Sequence, residues 1–536
     1  MNRPGRILMV ENEERWRKLV GDTLRSGGFQ VDTASTLVEA EAALRSNWYH
    51  LAILDIRLDD DSDDTDVEGL KVLYGEIVAA SIRDALMIIV LSSFGTKEQM
   101  RQAFTEGKVI DFVDKTKFNN LHFRDQVQQL FAGEAHNNLN LAIHWQQVET
   151  PQQAVVGLEV DGNRVKRDTP EQKRIAEELD DLLCRLFYKA ESLVVQPLST
   201  GKSGAMVLLA EPFYEAGPGQ RVVVKFGDFR GIDAEYRNFE EYVQPFIGGG
   251  RSTSVVNLRR TSCLGGIVYS MLGSNNDALE SFAGFYARAD IATIKEVLSR
   301  LFLETCGPWY ANPSRLQLCD LTDEYQKLLG WTTEKLENAV AQGLKSVHGK
   351  ATLKFTDLSN ERTFTNPIPA TARQKFLRTT YQCTTHGDLN ESNIMVDGSG
   401  HAWLIDFDCI GSGHILRDVA ELDSVVRLQL LKENECTLEE RLALEEALCT
   451  AADFSQVAET VFSTNNLALT KAFAIAVHLR TLGYRLVQHN PQADLSEYHV
   501  ALFYYALNTV RFHSLLPSVQ RQHALIAASL LADRLE

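Results

Sequence analysis

The first 131 residues alternate short apolar segments with longer segments in which apolar positions recur every three or four residues. Short apolar runs predict strands, and the longer period predicts amphipathic helices. The predicted strands are Ile7–Val10, Gln30–Thr33, Leu51–Leu54, Met87–Leu91 and Val109–Val113, and the clearest helices are Glu14–Ser26, Leu37–Ser46 and Lys97–Thr105. Strands that alternate with helices form parallel sheets with helices on both faces. We therefore predict a doubly wound sheet of five strands with five helices over residues 1–131.

The pattern changes twice in the remaining chain. Residues 132–190 begin with a polar segment rich in asparagine and glutamine and end with a charged helix from Pro170 to about Ala190, which predicts a connector with a helix. β-rich sequence follows over residues 191–275, and residues 276–536 have mainly helical patterns. A small β-rich lobe before a larger helical lobe is the order of the protein-kinase fold. We therefore predict a multidomain protein, first α/β and then α+β.

Length and composition restrict the class of protein. At 536 residues the chain is too long for one hydrophobic core, and its 44% hydrophobic and 24% charged residues are typical of folded domains. The formal charge of −18 argues against general binding to the nucleic-acid backbone, which requires a basic surface. The eight cysteines show neither zinc-ligand spacing nor a disulfide framework, and no stretch reaches the ~20 apolar residues of a membrane helix. We expect a cytoplasmic protein without membrane or nucleic-acid partners; its oligomeric state stays open, with a homodimer as one alternative.

Polar residues follow four of the five predicted strands at their carboxyl ends. They are Glu11 after the first strand, Asp55 after the third, Ser92 after the fourth and Lys115 after the fifth. The carboxyl ends of parallel strands meet at one edge of the sheet, where ligands of doubly wound folds bind. Carboxylates gathered at one point repel each other unless a cation lies among them, and Mg²⁺ prefers oxygen ligands. We therefore predict a Mg²⁺ site in which Ser92 and Lys115 hold the oxygens of a phosphoryl group on Asp55.

The same residues resemble the receiver domain of bacterial two-component response regulators, which has a flavodoxin-like fold. The matching segments are Ile7–Glu13, Leu54–Leu58, Val90–Ser93 and Asp111–Lys115. The resemblance implies a sensor histidine kinase as partner and a role for each residue: phosphoacceptor Asp55, metal ligands Glu11 and Asp55, switch residues Ser92 and Phe112, and phosphoryl-binding Lys115.

Two residues depart from the receiver pattern. Asn12 stands where a second acid is usual, and Thr116 stands where proline is usual. An amide therefore replaces a carboxylate at the predicted metal site, and the peptide after Lys115 lacks the constraint of a proline ring.

A second set of polar residues has a different spacing. The segment Thr385–Ile394 contains Asp388 and, five residues later, Asn393, while Asp406 follows the apolar run Ala402–Ile405. Phosphoryl transfer from a nucleotide needs a carboxylate that orients the attacking hydroxyl, and an amide and a carboxylate that hold Mg²⁺. The spacing of Asp388 and Asn393 is that of a kinase catalytic loop. We therefore predict Asp388 as the catalytic residue and Asn393 and Asp406 as metal ligands.

A kinase site also needs a cation for the nucleotide phosphates, an acidic partner for that cation and a flexible loop. Lys225 ends an apolar run, and Glu235 in the helical stretch that follows is its predicted partner, with Glu240 as the alternative. Gly201 and Gly204 lie between two β-like runs and permit close approach of the backbone to phosphates. We predict that these residues bind ATP.

These motifs resemble the aminoglycoside phosphotransferase and choline kinase branch of the protein-kinase fold. The sequence His386-Gly387-Asp388 lacks the arginine that typical protein kinases have before the aspartate. Little sequence separates Asp406 from Asp418, which resembles a later structural aspartate of that branch. The resemblance implies an N-lobe over residues 191–275 and a helical C-lobe over 276–536. A kinase-like region joined to a receiver also resembles the bacterial ternary-complex-associated domains.

Together these features predict a response regulator with a kinase-like output domain. Phosphorylation of Asp55 would control Mg²⁺- and ATP-dependent transfer of phosphate to a hydroxyl of an unknown small molecule or protein. Two alternatives stay open: a nucleotide-binding scaffold without catalysis, and a regulator that only binds other proteins. The set of Asp388, Asn393 and Asp406 favours catalysis, whereas Asp408 in place of the usual glycine of the metal-binding turn weighs against it.

Overall fold

A computed structural model describes most of the chain. The described residues are 3–58, 86–93, 109–133, 137–148, 150–200, 204–246, 252–272, 279–344, 348–358 and 362–535. The acidic run Asp59–Asp66, the predicted helix Lys97–Thr105 and Gly201 lie outside them. The chain divides into two compact units, residues 1–236 with 254–270 and residues 237–253 with 271–536.

The N-terminal domain is a parallel sheet with helices on its two faces. Its elements are β1 (Arg6–Val10), α1 (Glu14–Ser26), β2 (Gln30–Ala34), α2 (Leu37–Ser46), β3 (Leu51–Leu54), β4 (Met87–Ser92), β5 (Val109–Asp114) and α3 (Asn120–Gly133). The strand order is β2-β1-β3-β4-β5, and each neighbouring pair is parallel. The predicted flavodoxin-like sheet of five strands is confirmed, and α1 and α2 have the predicted bounds.

Side chains that alternate along the strands give this sheet two apolar faces. On one face Leu8 and Val10 pack in a cluster with Leu44 of α2. On the other face Ile7 and Met9 of β1 belong to a cluster that includes residues of α1 and α3. This packing fixes the register of the strands and places Glu11, Asp55 and Lys115 at the same edge of the sheet.

A second sheet follows in the same unit. The elements of this region are β6 (Ala142–Trp145), α4 (Pro151–Ala154), β7 (Glu159–Val160), β8 (Asn163–Arg164), α5 (Pro170–Leu186), β9 (Ser192–Thr200), β10 (Met206–Tyr214), β11 (Gly217–Pro218), β12 (Val222–Asp228), α6 (Phe229–Asn238), β13 (Ser252–Arg260) and β14 (Leu264–Leu272). The sheet order is β13-β14-β12-β10-β9-β6, and β11 pairs with β10. The predicted β-rich region is therefore a mainly antiparallel sheet, with β6 parallel to β9 at one edge.

Residues 137–148 and 150–190 have more regular structure than the predicted connector. Strand β6 extends the second sheet, and Leu141, Val155 and Leu158 pack in one core cluster with α5 and β9. The polar side chains that indicated a connector make structural hydrogen bonds: Asn138 Nδ2 donates to the Ala190 carbonyl at 2.6 Å. This segment is therefore part of the β-rich region rather than a linker before it.

The second unit is mainly helical. Its helices are α7 (Phe282–Arg288), α8 (Ile291–Arg300), α9 (Gly307–Tyr310), α10 (Leu321–Leu329), α11 (Thr333–Gly343), α12 (Ala370–Arg373), α13 (Arg417–Ser424), α14 (Leu438–Leu448), α15 (Leu467–Val487), α16 (Leu495–Val510) and α17 (Ser518–Leu535). Short strands lie among them: β15 (Glu280–Ser281), β16 (Gln317–Asp320), β17 (Thr352–Leu353), β18 (Phe364–Thr365), β19 (Leu377–Thr380), β20 (Gln382–Thr385), β21 (Ile394–Val396), β22 (Ala402–Leu404) and β23 (Gly411–His414). Within the described part of the chain, no helix has the length and apolar character needed to span a membrane.

Candidate functional site

Glu11, Asp55 and Lys115 form a buried charged cluster at the carboxyl edge of the N-terminal sheet. Lys115 Nζ lies 2.7 Å from Glu11 Oε2 and 2.5 Å from Asp55 Oδ2. All three side chains are at most 2% exposed. The sequence-predicted acids and the lysine therefore meet at one point, where two carboxylates share one ammonium group.

The ionisation of this cluster reflects its burial. Burial, and then the neighbouring Asp55 carboxylate, raise the pKa of Glu11 to about 7, although Lys115 opposes the shift. Burial alone would lower the pKa of Lys115, but the carboxylates of Asp55 and Glu11 raise it above its ordinary value. The lysine therefore stays charged, and two acids compete for its charge.

The oxygens at this edge fit a Mg²⁺ ion. Asn12 Oδ1 is buried, and none of the described residues donates a hydrogen bond to it. Mg²⁺ is held in proteins by one or two carboxylates with further oxygen ligands and water. Glu11, Asn12 and Asp55 are the residues that would hold the ion.

The other predicted receiver residues lie at the ends of β4 and β5. Ser92 is buried at the end of β4, in register with Asp114. Phe112 is half-buried and packs against the apolar cluster that includes α2. Thr116 donates from its backbone N–H and its hydroxyl to Asp114 Oδ1, at 2.8 and 2.6 Å. Because proline has no N–H, the turn after Lys115 is stabilised here by a contact that proline cannot make.

Lys225 on β12 and Glu235 on α6 form an ion pair beside the second sheet. Lys225 Nζ lies 2.6 Å from Glu235 Oε2, and both side chains are at most 1% exposed. Tyr269 on β14 donates its hydroxyl hydrogen to Glu235 Oε1. Glu240, the alternative partner, is exposed on the π-helical turn after α6. The structure therefore pairs Lys225 with Glu235, and it adds Tyr269, for which the sequence gives no signal because the contact spans 34 positions.

Gly204 lies just before β10 in a conformation that favours glycine. Its φ is +85°, and a Cβ at this position would lie 2.8 Å from the Cβ of Glu159. The Glu159 backbone N–H also donates to the Gly204 carbonyl at 2.9 Å. The close approach described at Gly204 is thus to β7, and its contact with a nucleotide stays a prediction, as does that of Gly201.

Asp388 and Asn393 contact each other in the loop between β20 and β21. Asn393 Nδ2 donates to Asp388 Oδ2 at 3.0 Å and to the Asp388 backbone carbonyl at 2.9 Å. Asn393 is buried and Asp388 is half-buried. Because the amide nitrogen faces Asp388, the loop fixes the carboxylate and leaves the amide oxygen of Asn393 for another ligand.

Asp406 follows β22 with a strained backbone. Its φ is +70°, a left-handed conformation that residues other than glycine adopt at an energetic cost. Neighbouring contacts fix this conformation: His386 Nε2 lies 3.1 Å from the Ile405 carbonyl, and Asn238 Nδ2 donates to the Asp408 carbonyl at 3.0 Å. Strain of this kind is common at functional sites, and Asp406 is 7% exposed.

Asp418 on α13 holds the backbone that precedes Asp388. The side chain of Asp418 is fully buried and accepts the backbone N–H groups of His386 at 2.8 Å and Gly387 at 2.9 Å. A carboxylate that accepts two backbone amides fixes both peptide planes. Asp418 therefore has a structural role in this loop, since it holds the backbone that leads to Asp388.

Two further residues, which lie outside this loop, help to hold it. Glu421, one turn after Asp418 on α13, accepts the Leu389 backbone N–H at 2.8 Å. Tyr310 donates its hydroxyl hydrogen to Asp418 Oδ2 at 2.9 Å. The only sequence signal is the helical spacing of Asp418 and Glu421, which places both acids on the same face.

We expect the Gly387→Ala variant to destabilise the helical unit by on the order of 3 kcal/mol. Gly387 has a φ of +81°, and an added Cβ would lie 2.3 Å from the Cys409 carbonyl oxygen. Urea unfolding, followed by circular dichroism, measures the change. Gly330 is the matched control because it has a φ of +60° with no atom near its Cβ position. Gly330→Ala should cost only about 1 kcal/mol, the price of the left-handed backbone; equal losses in both variants would contradict the predicted clash.

Comparisons with known families divide the chain into two parts. The model of the response regulator receiver domain matches residues 7–125. The model of the ternary complex associated domain 9 matches residues 190–357 and 352–511, together more than half of the chain. None of the curated proteins compared matches the chain.

Solved structures similar to the chain include receiver domains. A CheY-like receiver protein of Methanospirillum hungatei is 20% identical, with a TM-score of 0.22, over 25% of this chain and 97% of that one. Chemotaxis protein CheY4 of Vibrio cholerae is 20% identical, with a TM-score of 0.21, over 24% of this chain and 98% of that one. The HemR receiver domain of Leptospira biflexa is 25% identical, with a TM-score of 0.21, over 24% of this chain and 94% of that one.

Proposed function

Because this chain belongs to the ternary complex associated domain 9 family and carries a response regulator receiver domain in its N-terminal part, we propose that it is a response regulator with phosphotransferase output. In this proposal a sensor histidine kinase phosphorylates Asp55. The phosphorylated receiver then controls an output region that binds Mg-ATP and transfers its γ-phosphoryl group to a hydroxyl of a small molecule or protein. The protein would act in the bacterial cytoplasm.

The receiver chemistry is supported by the cluster of Glu11, Asp55 and Lys115. Asp55 would attack the phosphorus of the donor phosphohistidine through a carboxylate oxygen, so an O–P bond forms as the N–P bond breaks. Lys115, 2.5 Å from Asp55 in the unphosphorylated protein, would pair with an oxygen of the phosphoryl group, and Ser92 would donate to another. When bound, Mg²⁺ supplies positive charge that neutralises the phosphoryl oxygens.

Phosphorylation at Asp55 can be tested without the cognate kinase. We expect acetyl phosphate with Mg²⁺ to add one phosphoryl group to the protein, and Asp55→Asn to reduce labelling by on the order of 100-fold because the acceptor oxygen is lost. Intact-protein mass spectrometry measures the addition. Asp114→Asn is the matched control, since Asp114 lies at the same edge but contacts Thr116 rather than Lys115. Labelling of the Asp55→Asn variant at the normal rate would exclude Asp55 as the acceptor.

The output chemistry would use the loop around Asp388. The acceptor hydroxyl would transfer its proton to the Asp388 carboxylate as its oxygen bonds to the γ-phosphorus. The bond from that phosphorus to the bridging oxygen would break, and ADP would leave with the electron pair. Asn393 and Asp406 are the residues that would hold Mg²⁺, and Lys225, oriented by Glu235, would bind a phosphate oxygen.

The observation that carries this proposal is the contact of Asn393 with Asp388. Asn393 Nδ2 donates to the carboxylate at 3.0 Å, and the buried amide keeps its oxygen for a cation. The buried ion pair of Lys225 and Glu235 supports the same chemistry independently.

ATP consumption and ATP binding together test the proposal. The full chain is incubated with Mg-ATP and panels of alcohols, amino sugars, choline-like compounds and protein fractions, and ADP formation is measured with and without beryllofluoride as a phosphoryl mimic. We expect acceptor-dependent ADP formation that requires Mg²⁺. Calorimetric binding of Mg-ATP without any product would favour the catalytically inactive scaffold, and the absence of binding would overturn the kinase-like assignment.

A further inference from the structure

We propose that helix α5 transmits the phosphorylation state of the receiver domain to the ion pair of Lys225 and Glu235. This inference rests on the proposed function and adds the route by which the receiver acts. The receiver domain, α5 and this ion pair all lie in the unit of residues 1–236 and 254–270. The route consists of three buried contacts along this unit.

The first contact joins the receiver to α5. His50, at the start of β3, places Nε2 2.5 Å from Asp181 Oδ1, while His50 Nδ1 accepts the Arg6 backbone N–H at 2.8 Å. Because Nδ1 is an acceptor, Nε2 carries the hydrogen and donates it to Asp181. Arg185 donates to the other Asp181 oxygen at 2.7 Å. Strand β3 runs from this contact to Asp55, so the phosphoacceptor and the α5 contact are the two ends of one buried strand.

The second contact joins α5 to the turn between β13 and β14. Glu178 lies three residues before Asp181 and therefore on the same side of α5. Glu178 Oε1 accepts the Thr261 hydroxyl at 2.7 Å, the Ser262 hydroxyl at 3.1 Å and the Cys263 backbone N–H at 2.7 Å. The Glu178 side chain is fully buried. The Leu264 backbone N–H donates to the same oxygen at 3.3 Å, and these four donors fix the turn to the helix.

The third contact joins β14 to the helices on its two faces. A Cβ on Gly266 would lie 2.9 Å from a Leu186 methyl carbon of α5, and a Cβ on Gly265 would lie 2.8 Å from Ile232 of α6. Adjacent glycines thus let α5 and α6 pack directly on opposite faces of β14. A displacement of α5 is passed to α6 with no flexible side chain of β14 between them.

Strand β14 also contacts both members of the ion pair. Tyr269 donates to Glu235, which α6 carries, and Ile267 is paired in register with Lys225 on β12. A shift of β14 therefore changes the distance between the Lys225 ammonium and the Glu235 carboxylate, the geometry on which phosphate binding by Lys225 depends. In this route α5 has two positions. In one of them the Lys225 ammonium and the Glu235 carboxylate are paired, and in the other they are separated.

Hydrogen exchange of the full chain, with and without Mg²⁺ and beryllofluoride, tests this route independently of catalysis. In the unchanged protein we expect exchange rates to change by about threefold or more in the receiver, in residues 170–186 and in residues 261–272. The matched variants are His50→Asn and His50→Gln. An asparagine amide can accept the Arg6 N–H but does not reach Asp181, whereas a glutamine amide reaches Asp181. His50→Asn should confine the response to the receiver, and His50→Gln should keep all three responses.

Glu178→Met, which removes the acceptor oxygen of the second contact, provides a second test that leaves the receiver contact intact. It should keep the response in the receiver and in residues 170–186 and reduce the response in residues 261–272 by at least about threefold. A response that stays in the receiver in the unchanged protein, or that reaches residues 261–272 in His50→Asn, would overturn the proposed route. The absence of any response in the receiver itself would instead remove the assignment of Asp55, and with it this inference.

Discussion

The Asp388→Asn variant is expected to lose phosphoryl transfer by about 10²–10⁴-fold, the range that general base catalysis contributes. Asparagine keeps the shape of the side chain and can keep the contact with Asn393, but it cannot accept the proton of the acceptor hydroxyl. The affinity for Mg-ATP should change by less than about threefold, since in the proposed mechanism Asp388 acts on the acceptor and not on ATP. The rate of ADP formation at saturating ATP, together with calorimetric binding, separates the two effects.

Asp494→Asn is the control for this substitution. Asp494 caps α16 in the same unit by accepting the Ser496 backbone N–H at 2.6 Å, and asparagine caps a helix equally well. This variant should keep both transfer and binding. If Asp388→Asn transfers phosphate at the rate of the Asp494→Asn protein, Asp388 has no place in the mechanism.

The Lys225→Met variant is expected to lower the free energy of unfolding by about 3–5 kcal/mol. Removal of the ammonium takes away the cation that lies 2.6 Å from the buried Glu235 carboxylate, and a neutral hydroxyl such as that of Tyr269 does not replace its charge. The double variant Lys225→Met with Glu235→Gln removes the uncompensated charge as well, and it should recover about half of the loss or more. Both variants should bind Mg-ATP at least about tenfold more weakly, because both lack the cation for the phosphates.

Urea unfolding and calorimetry measure these two effects on the same samples. Arg221→Met is the matched control, since Arg221 pairs at 3.0 Å with Glu211 on the same sheet but is 37% exposed. An exposed pair contributes about 1 kcal/mol or less, so this variant should remain close to the unchanged protein. Recovery of stability together with recovery of ATP binding in the double variant would show that Lys225 serves stability alone.

Local patterns predict the strands that carry the site. The four-residue apolar run Leu51–Leu54 is completely buried and has the predicted bounds, because a strand covered on both faces reads as a continuous apolar run. Once the strand is known, the place of Asp55 at its carboxyl end follows. The same reasoning locates Lys225, although local pattern alone leaves Glu235 and Glu240 as alternatives, since helix phase at a strand-to-helix junction is not visible in the sequence.

Contacts between elements that are distant in the chain could not be predicted from local sequence patterns. Residues 137–190 are polar enough to resemble a linker, yet Asn137 donates to Asp181 at 3.1 Å and the segment adds a strand to the sheet. In the sequence, Glu178 resembles an ordinary surface acid of a charged helix. In the structure, the turn at residues 261–264 donates hydrogen bonds to it, although this turn lies 83 or more positions later in the chain. A polar residue that satisfies a distant backbone group has the same local sequence as one that faces water.

The two hydrogen bonds that Asp418 accepts from the backbone before Asp388 also imply an order in which the helical unit folds. The two backbone amides that Asp418 accepts lie 31 and 32 positions before it, so the loop cannot reach its final geometry until α13 has formed and docked. Contacts of high sequence separation form late because a long loop must close first. The Asp388 loop is therefore expected to be among the last parts of the helical unit to become protected, and a nascent chain that ends before residue 418 holds this loop in an unfinished form.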